Sequence, residues 1–208
     1  MRVYAAVGAV LGWFALVLQL YLMLVRAPGA MAMLQEAITF FSFFTILTNI
    51  LVALVFTAVA AGWVTGVKQF FNRPSVQAAT AVYITIVGVS YHMLLAQLWN
   101  PQGAQLLADT LLHSMMPAAY ILYWVLFGPR AGLRWKDAVV WLIYPGVYLL
   151  YVLAKGAVSG VYPYPFVDVK ILGYGGVFIR AGVFLLAFLG LGLLAVAVGR
   201  NTRGLAKA

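Results

Sequence analysis

The chain has no cysteine among its 208 residues. Disulfides, thiolate ligation of haem and cysteine-bound iron-sulfur clusters are therefore excluded. Charge is also scarce: Asp, Glu, Lys and Arg make up 8% of the sequence, and only 4 residues are acidic. That leaves too little polar surface to hold a globule of this size in water. A hydrophobic content of 65% and a mean hydropathy of +1.02 point to a bilayer instead. Low-complexity segments, internal repeats and a soluble insert are lacking too. The chain reads as one all-α integral membrane domain over 1–208.

Apolar stretches of roughly 20 residues, the length that crosses ~30 Å of hydrocarbon, fall at about 3–25, 38–62, 76–98, 104–127, 138–155 and 172–199. Arg2, Lys68, Arg73, Arg130, Arg134, Lys136, Arg200, Arg203 and Lys207 lie on one side of these six spans. Only Arg26, Lys155 and Lys170 lie on the other, and Arg180 is within the membrane. Short cytoplasmic connections retain Lys and Arg, so both termini and the loops at 63–75 and 128–137 are expected in the cytoplasm. The pI of 9.9 follows from those flanks. The basic residues do not form an amphipathic surface with exposed aromatics, so no nucleic acid partner is expected.

The N-terminal run resembles a signal peptide, with Arg2 ahead of it and Ala30-Met31-Ala32 behind. It is longer than the ~7–15 residues of a signal h-region, and Gly8 and Gly12 form a G-x-x-x-G pattern that lets helices approach closely. It is read as a retained first span. Trp63, Trp99, Trp135 and the run from Tyr162 to Phe166 mark interfacial levels. Pro163 and Pro165 keep that run from being helical. The segment around it is the longest outward loop and is expected to cover the outer mouth of the bundle, with His92, Tyr164 and Asp168 as candidate substrate contacts.

Polar groups inside spans are costly in lipid and so carry information. Thr45, Thr48 and Asn49 share a face of span 2, His92 and Gln97 lie on span 3, Asp109 and His113 on span 4 and Arg180 on span 6. At ~1.5 Å rise per residue, Thr45, His92, Asp109, His113 and Arg180 fall ~8–14 Å from the outward ends of their spans. Four helices thus bring polar chemistry to one slab. Asp109 and His113 are i,i+4, the spacing at which a carboxylate can orient an imidazole base. Pro117 should leave the His113 carbonyl without its helical donor, and Pro145 that of Trp141. An unpaired Arg180 would be expensive, so an ion pair with Asp109 or Asp168 is expected.

The segments FFTILTN at 43–49, LWNPQG at 98–103, ADTLLHSMMP at 108–117, and the stretch from WLIYP through GVYPYPFVDV to LGYGG resemble the bacterial six-span proteins called the Pr6Pr family. The likeness covers nearly the whole chain. The Thr of span 2 and the His-x-x-x-Pro of span 4 are similar, more distantly, to the eukaryotic androgen-induced family. That family hydrolyses esters of fatty acids with hydroxy fatty acids through an intramembrane threonine and a histidine. The resemblance implies Thr45 as nucleophile, His113 as base, membrane lipid esters as partners, no cofactor and a bacterial inner membrane. Thr48, one turn away, is the alternative nucleophile. Asp109 as orienter, and Asn49 or Arg180 as oxyanion donors, are read from spacing and depth. Competing readings are a transporter or noncatalytic lipid-binding protein, a zinc hydrolase using His92, His113 and Asp109, and a b-type haem protein with His92 and His113 as axial ligands. A transporter would be marked by polar lining in both halves of the bundle.

Overall fold

The computed structural model describes residues 1–62 and 66–205, with side chains defined except at 66–68 and 201–205. Trp63 and Lys207 lie outside the described residues. Every regular element among those described is helical, and six helices are long and apolar enough to cross a membrane: Arg2–Leu24, Phe44–Ala61, Pro74–Leu98, Ala104–Phe127, Trp135–Ser159 and Val169–Arg200. The chain forms two compact units, Met1–Gly132 and Leu133–Ala208.

In the first unit, α1 (Arg2–Leu24) lies along α3 (Phe44–Ala61). Its buried face is made of small residues, Ala5, Gly8, Ala9, Gly12 and Ala15, whereas Val3, Val7, Val10 and Val17 are exposed. This is the close-packing face expected from G-x-x-x-G. A Cβ at Gly8 would lie 2.7 Å from the Phe56 ring, and one at Gly12 3.3 Å from Ala53. The C-terminal cap of α3 is Gly62 in the left-handed region, φ 66, and the Arg2 guanidinium lies over it, 2.9 Å from where a Cβ would be.

Span 2 is shorter than the sequence implied. Residues 30–40 form a separate helix, α2 (Ala30–Phe40), and the chain turns at Phe41, Ser42 and Phe43 before α3 begins. Ser42 lies in the break: its hydroxyl donates to the Thr39 carbonyl at 2.6 Å and its N–H to the same oxygen at 2.9 Å, three residues back instead of four. Thr45 is therefore in the first turn of α3, and its depth cannot be counted from residue 38. Phe40 then packs with Ala15, Leu16, Ile46, Leu111 and Leu112.

Spans 3 and 4 each change winding at the level of their histidine. The helix α4 (Pro74–Ser90) continues as a π turn at Tyr91–Leu95 and a short 3-10 turn at Ala96–Leu98. The second of these spans runs α5 (Ala104–Thr110), π turn Leu111–Met115, α6 (Met116–Phe127). Gly88 lets the two helices close up, since a Cβ there would meet Pro117 at 3.2 Å.

In the second unit, α7 (Trp135–Val140) and α8 (Ile143–Ser159) make one interrupted span. Pro145 falls in the first turn of α8, where its missing N–H costs no helical bond, so it sits at a helix boundary instead of breaking into the middle of a span. The Tyr162 ring lies against Gly156, at 2.0 Å from a notional Cβ. A turn at Pro165–Val167 leads into α9 (Val169–Leu205), which is kinked at Gly173, φ 64.

Candidate functional site

The two π turns bring consecutive residues of each helix to the same neighbour. Residues i and i+1 of a regular α-helix do not share a face, yet Tyr91 and His92 both reach span 4, meeting Asp109, His113 and Ser114. π insertions of this kind are frequent at functional sites.

Asp109 and Tyr91 are buried, and His113 is 16% exposed. The Tyr91 hydroxyl donates to Asp109 Oδ2, and the Tyr91 ring stacks on the His113 ring, centroids 4.0 Å apart and planes 13° apart. Nδ1 of His113 lies 3.1 Å from Asp109 Oδ1 and 3.1 Å from the Asp109 carbonyl. Both groups are acceptors, so the Nδ1 position carries a proton, and in the neutral imidazole Nε2 carries the lone pair. The hydrogen-bond geometry belongs to the carbonyl, which fixes the tautomer. The carboxylate supplies charge next to the ring.

Asn49 is fully buried and ties span 2 to this turn. Its amide donates to the Thr45 carbonyl at 2.9 Å and to the Leu112 carbonyl at 3.1 Å. The two carbonyl oxygens so bridged are at most roughly 6 Å apart. A flipped amide would set its oxygen against two other oxygens, so the orientation is determined by the network. Both hydrogens are committed, and Asn49 Oδ1 is left as a buried acceptor without a partner. The expected role of Asn49 as oxyanion donor is thereby overturned: it has no hydrogen to give.

The carbonyl freed by Pro117 is also not the one expected. In the π register the Met116 N–H bonds the Leu111 carbonyl, five residues back. Pro117, lacking an N–H, leaves Leu112 without the equivalent donor, and Asn49 supplies it. Thr45 and Thr48 are buried on the same helix as Asn49, so Thr45 and His113 sit on segments joined by a single side chain.

His92 is exposed, with Nε2 3.1 Å from Ser114 Oγ. Tyr91, in edge contact with His92 at 5.1 Å and stacked on His113, packs against both imidazoles. No group of three or more His, Cys, Asp or Glu suited to a metal ion occurs among the described residues, so His92, His113 and Asp109 do not assemble as the ligand set considered from sequence. Tyr91 and Ser114 were not singled out by sequence reasoning; their adjacency to the two histidines was the signal. Gln105, bonded to Gln19 at 2.7 Å across to α1, is a further buried polar link.

Tyr164, Asp168 and Arg180 belong to the second unit. Tyr164 is buried and stacks on Phe166 at 4.9 Å, which in turn meets Phe184 of α9. Asp168 caps α9, accepting the Lys170 N–H at 2.8 Å. Arg180 is exposed and donates to the Gly176 carbonyl one turn back at 3.4 Å. The expected Arg180–Asp168 ion pair is not formed, because the carboxylate is used by the helix start. Asp109 is held within the first unit by Tyr91 and His113.

Polar groups also occupy the other end of the first unit. Gln77 is 2% exposed, accepts the Tyr123 hydroxyl on Oε1 at 3.1 Å and the Tyr120 hydroxyl on its carbonyl at 3.2 Å. Between the two ends Val52, Val55, Phe56 and Ile84 are fully buried. The chain matches no family model, no curated protein and no solved structure.

Proposed function

We propose that this chain is an integral membrane protein of the Pr6Pr type, with both termini in the cytoplasm, that hydrolyses a lipid ester within the outer half of a bacterial inner membrane. The observation that carries this reading is the Tyr91–Asp109–His113 cluster, in which a partly exposed imidazole is held by its Nδ1 side, leaving Nε2 as the basic nitrogen of its neutral form. In the proposed reaction, Nε2 removes the proton of the Thr45 hydroxyl as its oxygen attacks the ester carbonyl. The tetrahedral intermediate collapses with transfer of that proton to the leaving alkoxide. The acyl group stays on Thr45 until water, activated by the same imidazole, releases the acid. Tyr91 and the Asp109 carbonyl position the ring, and the Asp109 carboxylate favours the imidazolium formed midway. A lipid ester would enter sideways between helices, which accounts for a chain with so little polar surface.

Labelling with a fluorophosphonate hydrolase probe, mapped by mass spectrometry, tests the assignment. The adduct is expected on Thr45 and is expected to vanish in Thr45→Ala and His113→Ala. An adduct on Thr48 or Ser114 would reassign the nucleophile. Absence of both labelling and turnover of fatty acid esters in the wild-type protein would defeat the enzyme reading.

The topology is tested separately. Reporter fusions at Lys68, Arg134 and Lys207 are expected to report cytoplasm, and a fusion at Tyr162 the opposite side. An outward C-terminus would place the Asp109–His113 cluster in the inner half.

A noncatalytic lipid-binding or transport role is the second reading, and the polar groups around Gln77 favour it, since they provide polar lining at both ends of the first unit. Against transport stands the fully buried apolar layer of Val52, Val55, Phe56 and Ile84 between the two ends.

A further inference from the structure

At the end of the first unit remote from His113 there is a cavity of about 430 Å³, walled by the starts of α1 and α4 and the ends of α3 and α6. It is separate from the proposed catalytic site: Val59 on its wall is 14 residues along α3 from Thr45, about 21 Å at helical rise. Its polar lining includes Arg2 and Arg73, and behind them Gln77 and Tyr123. Gln77 and Tyr123 satisfy one another, Tyr123 donating to Oε1 while the Gln77 amide donates to the Phe71 carbonyl at 3.2 Å. They form a settled floor. The two guanidinium groups do not: neither makes a hydrogen bond or ion pair among the described residues. Arg73 rests on the Phe70 ring at 5.7 Å, and Arg2 lies over the C-terminus of α3.

Among the described residues no carboxylate lines the cavity, and the acidic residues of the first unit are Glu36 on α2 and Asp109 at the opposite end. Arg73 is moreover the N-cap of α4 and Pro74 its first residue, so the positive end of a 17-residue helix opens on the same space. The rest of the lining includes the amides of Gln69 and Asn72 and the apolar Val59, Phe127 and Pro129. Two forked donors and two amides beside apolar side chains match an amphiphile whose head is a phosphate. The volume is many times that of a water molecule (~30 Å³) and within the range of small-molecule pockets, ~300–1,000 Å³.

We infer that this cavity is a binding site for the phosphate head group of an anionic phospholipid, with Arg2 and Arg73 as its two anion-binding residues. The basic-residue bias assigns this end to the cytoplasmic leaflet. The site is independent of ester hydrolysis and would stand if no hydrolase activity were found.

The test uses the full chain in a neutral detergent, titrated with short-chain phosphatidylglycerol, short-chain phosphatidylcholine or inorganic phosphate, with native mass spectrometry giving stoichiometry and affinity. One equivalent of phosphatidylglycerol is expected to bind in preference to the other two. Arg2→Gln and Arg73→Gln are each expected to weaken it about ten-fold or more. Lys136→Gln, which removes a cation from the same predicted side but not from the cavity, is expected to change nothing. If a glutamine variant does not fold, Arg73→Lys decides, because lysine keeps the charge but not the fork: about a three-fold loss or more supports the contact, and no loss overturns it. Equal weakening by Lys136→Gln would show diffuse attraction and overturn the site. Binding of inorganic phosphate as tight as that of the lipid would identify a free-anion site and overturn the lipid assignment. Absence of binding, or binding indifferent to both arginines, overturns the inference altogether.

Discussion

Asp109→Asn is expected to lower the turnover of a lipid ester by about 10²-fold, with KM little changed. Asparagine keeps the size of the side chain and an oxygen that can accept the Tyr91 hydroxyl, so the packing of Tyr91 on His113 should persist. The Asp109 backbone carbonyl also persists and still holds the Nδ1 proton. What is lost is the negative charge beside the ring, which in the proposed mechanism matters only while His113 carries the proton of the nucleophile. The effect therefore belongs in kcat. Tyr91→Phe is expected to show the reverse pattern: it leaves Asp109 Oδ2 buried without its donor, at about 1–3 kcal/mol of stability, while the imidazole keeps both its acceptors. Steady-state kinetics together with melting curves in detergent separate the two. Turnover by Asp109→Asn within about three-fold of wild type would show that the carboxylate is structural and would remove the main support for His113 as a general base.

Gly8→Leu is expected to destabilise the first unit by about 3 kcal/mol or more. A Cβ alone would lie 2.7 Å from two atoms of the Phe56 ring. That ring is fully buried and cannot yield, being wedged edge-on against Tyr120 and Tyr123 at 5.2 Å each. The whole of α1 would have to move off α3. The companion double variant, Gly8→Ala with Phe56→Leu, is expected to recover much of the loss by trimming the ring that obstructs. By contrast Val10→Leu, at a side chain that is 69% exposed, is expected to be neutral. Equilibrium unfolding in mixed detergent provides the comparison. A Gly8→Leu protein as stable as the Val10→Leu control would mean that α1 does not pack on α3 through its small residues.

The sequence by itself determined the features that depend on composition and on local spacing. Apolar length gave six spans because hydrocarbon thickness sets a minimum run of residues, and five of the six helices follow those runs closely. Spacing gave the contact between Asp109 and His113, since residues four apart on a helix are neighbours whatever surrounds them. Gly8 and Gly12 likewise marked the buried face of α1. Tertiary structure decided everything that rests on a partner remote in sequence. The π turns at 91–95 and 111–115 bring Tyr91 and Ser114 into the cluster, and no single-span periodicity announces them. The free carbonyl moved from His113 to Leu112 because winding, not the proline alone, sets which oxygen loses its donor. Asn49 became a bridge and not an oxyanion donor because two carbonyls, one of them 63 residues away, claim both its hydrogens. The shortened span 2 is a local exception to this division: the apolar run continues through residues 38–43, yet at Ser42 the backbone N–H and the hydroxyl both turn back to the Thr39 carbonyl, a bond that hydropathy does not see.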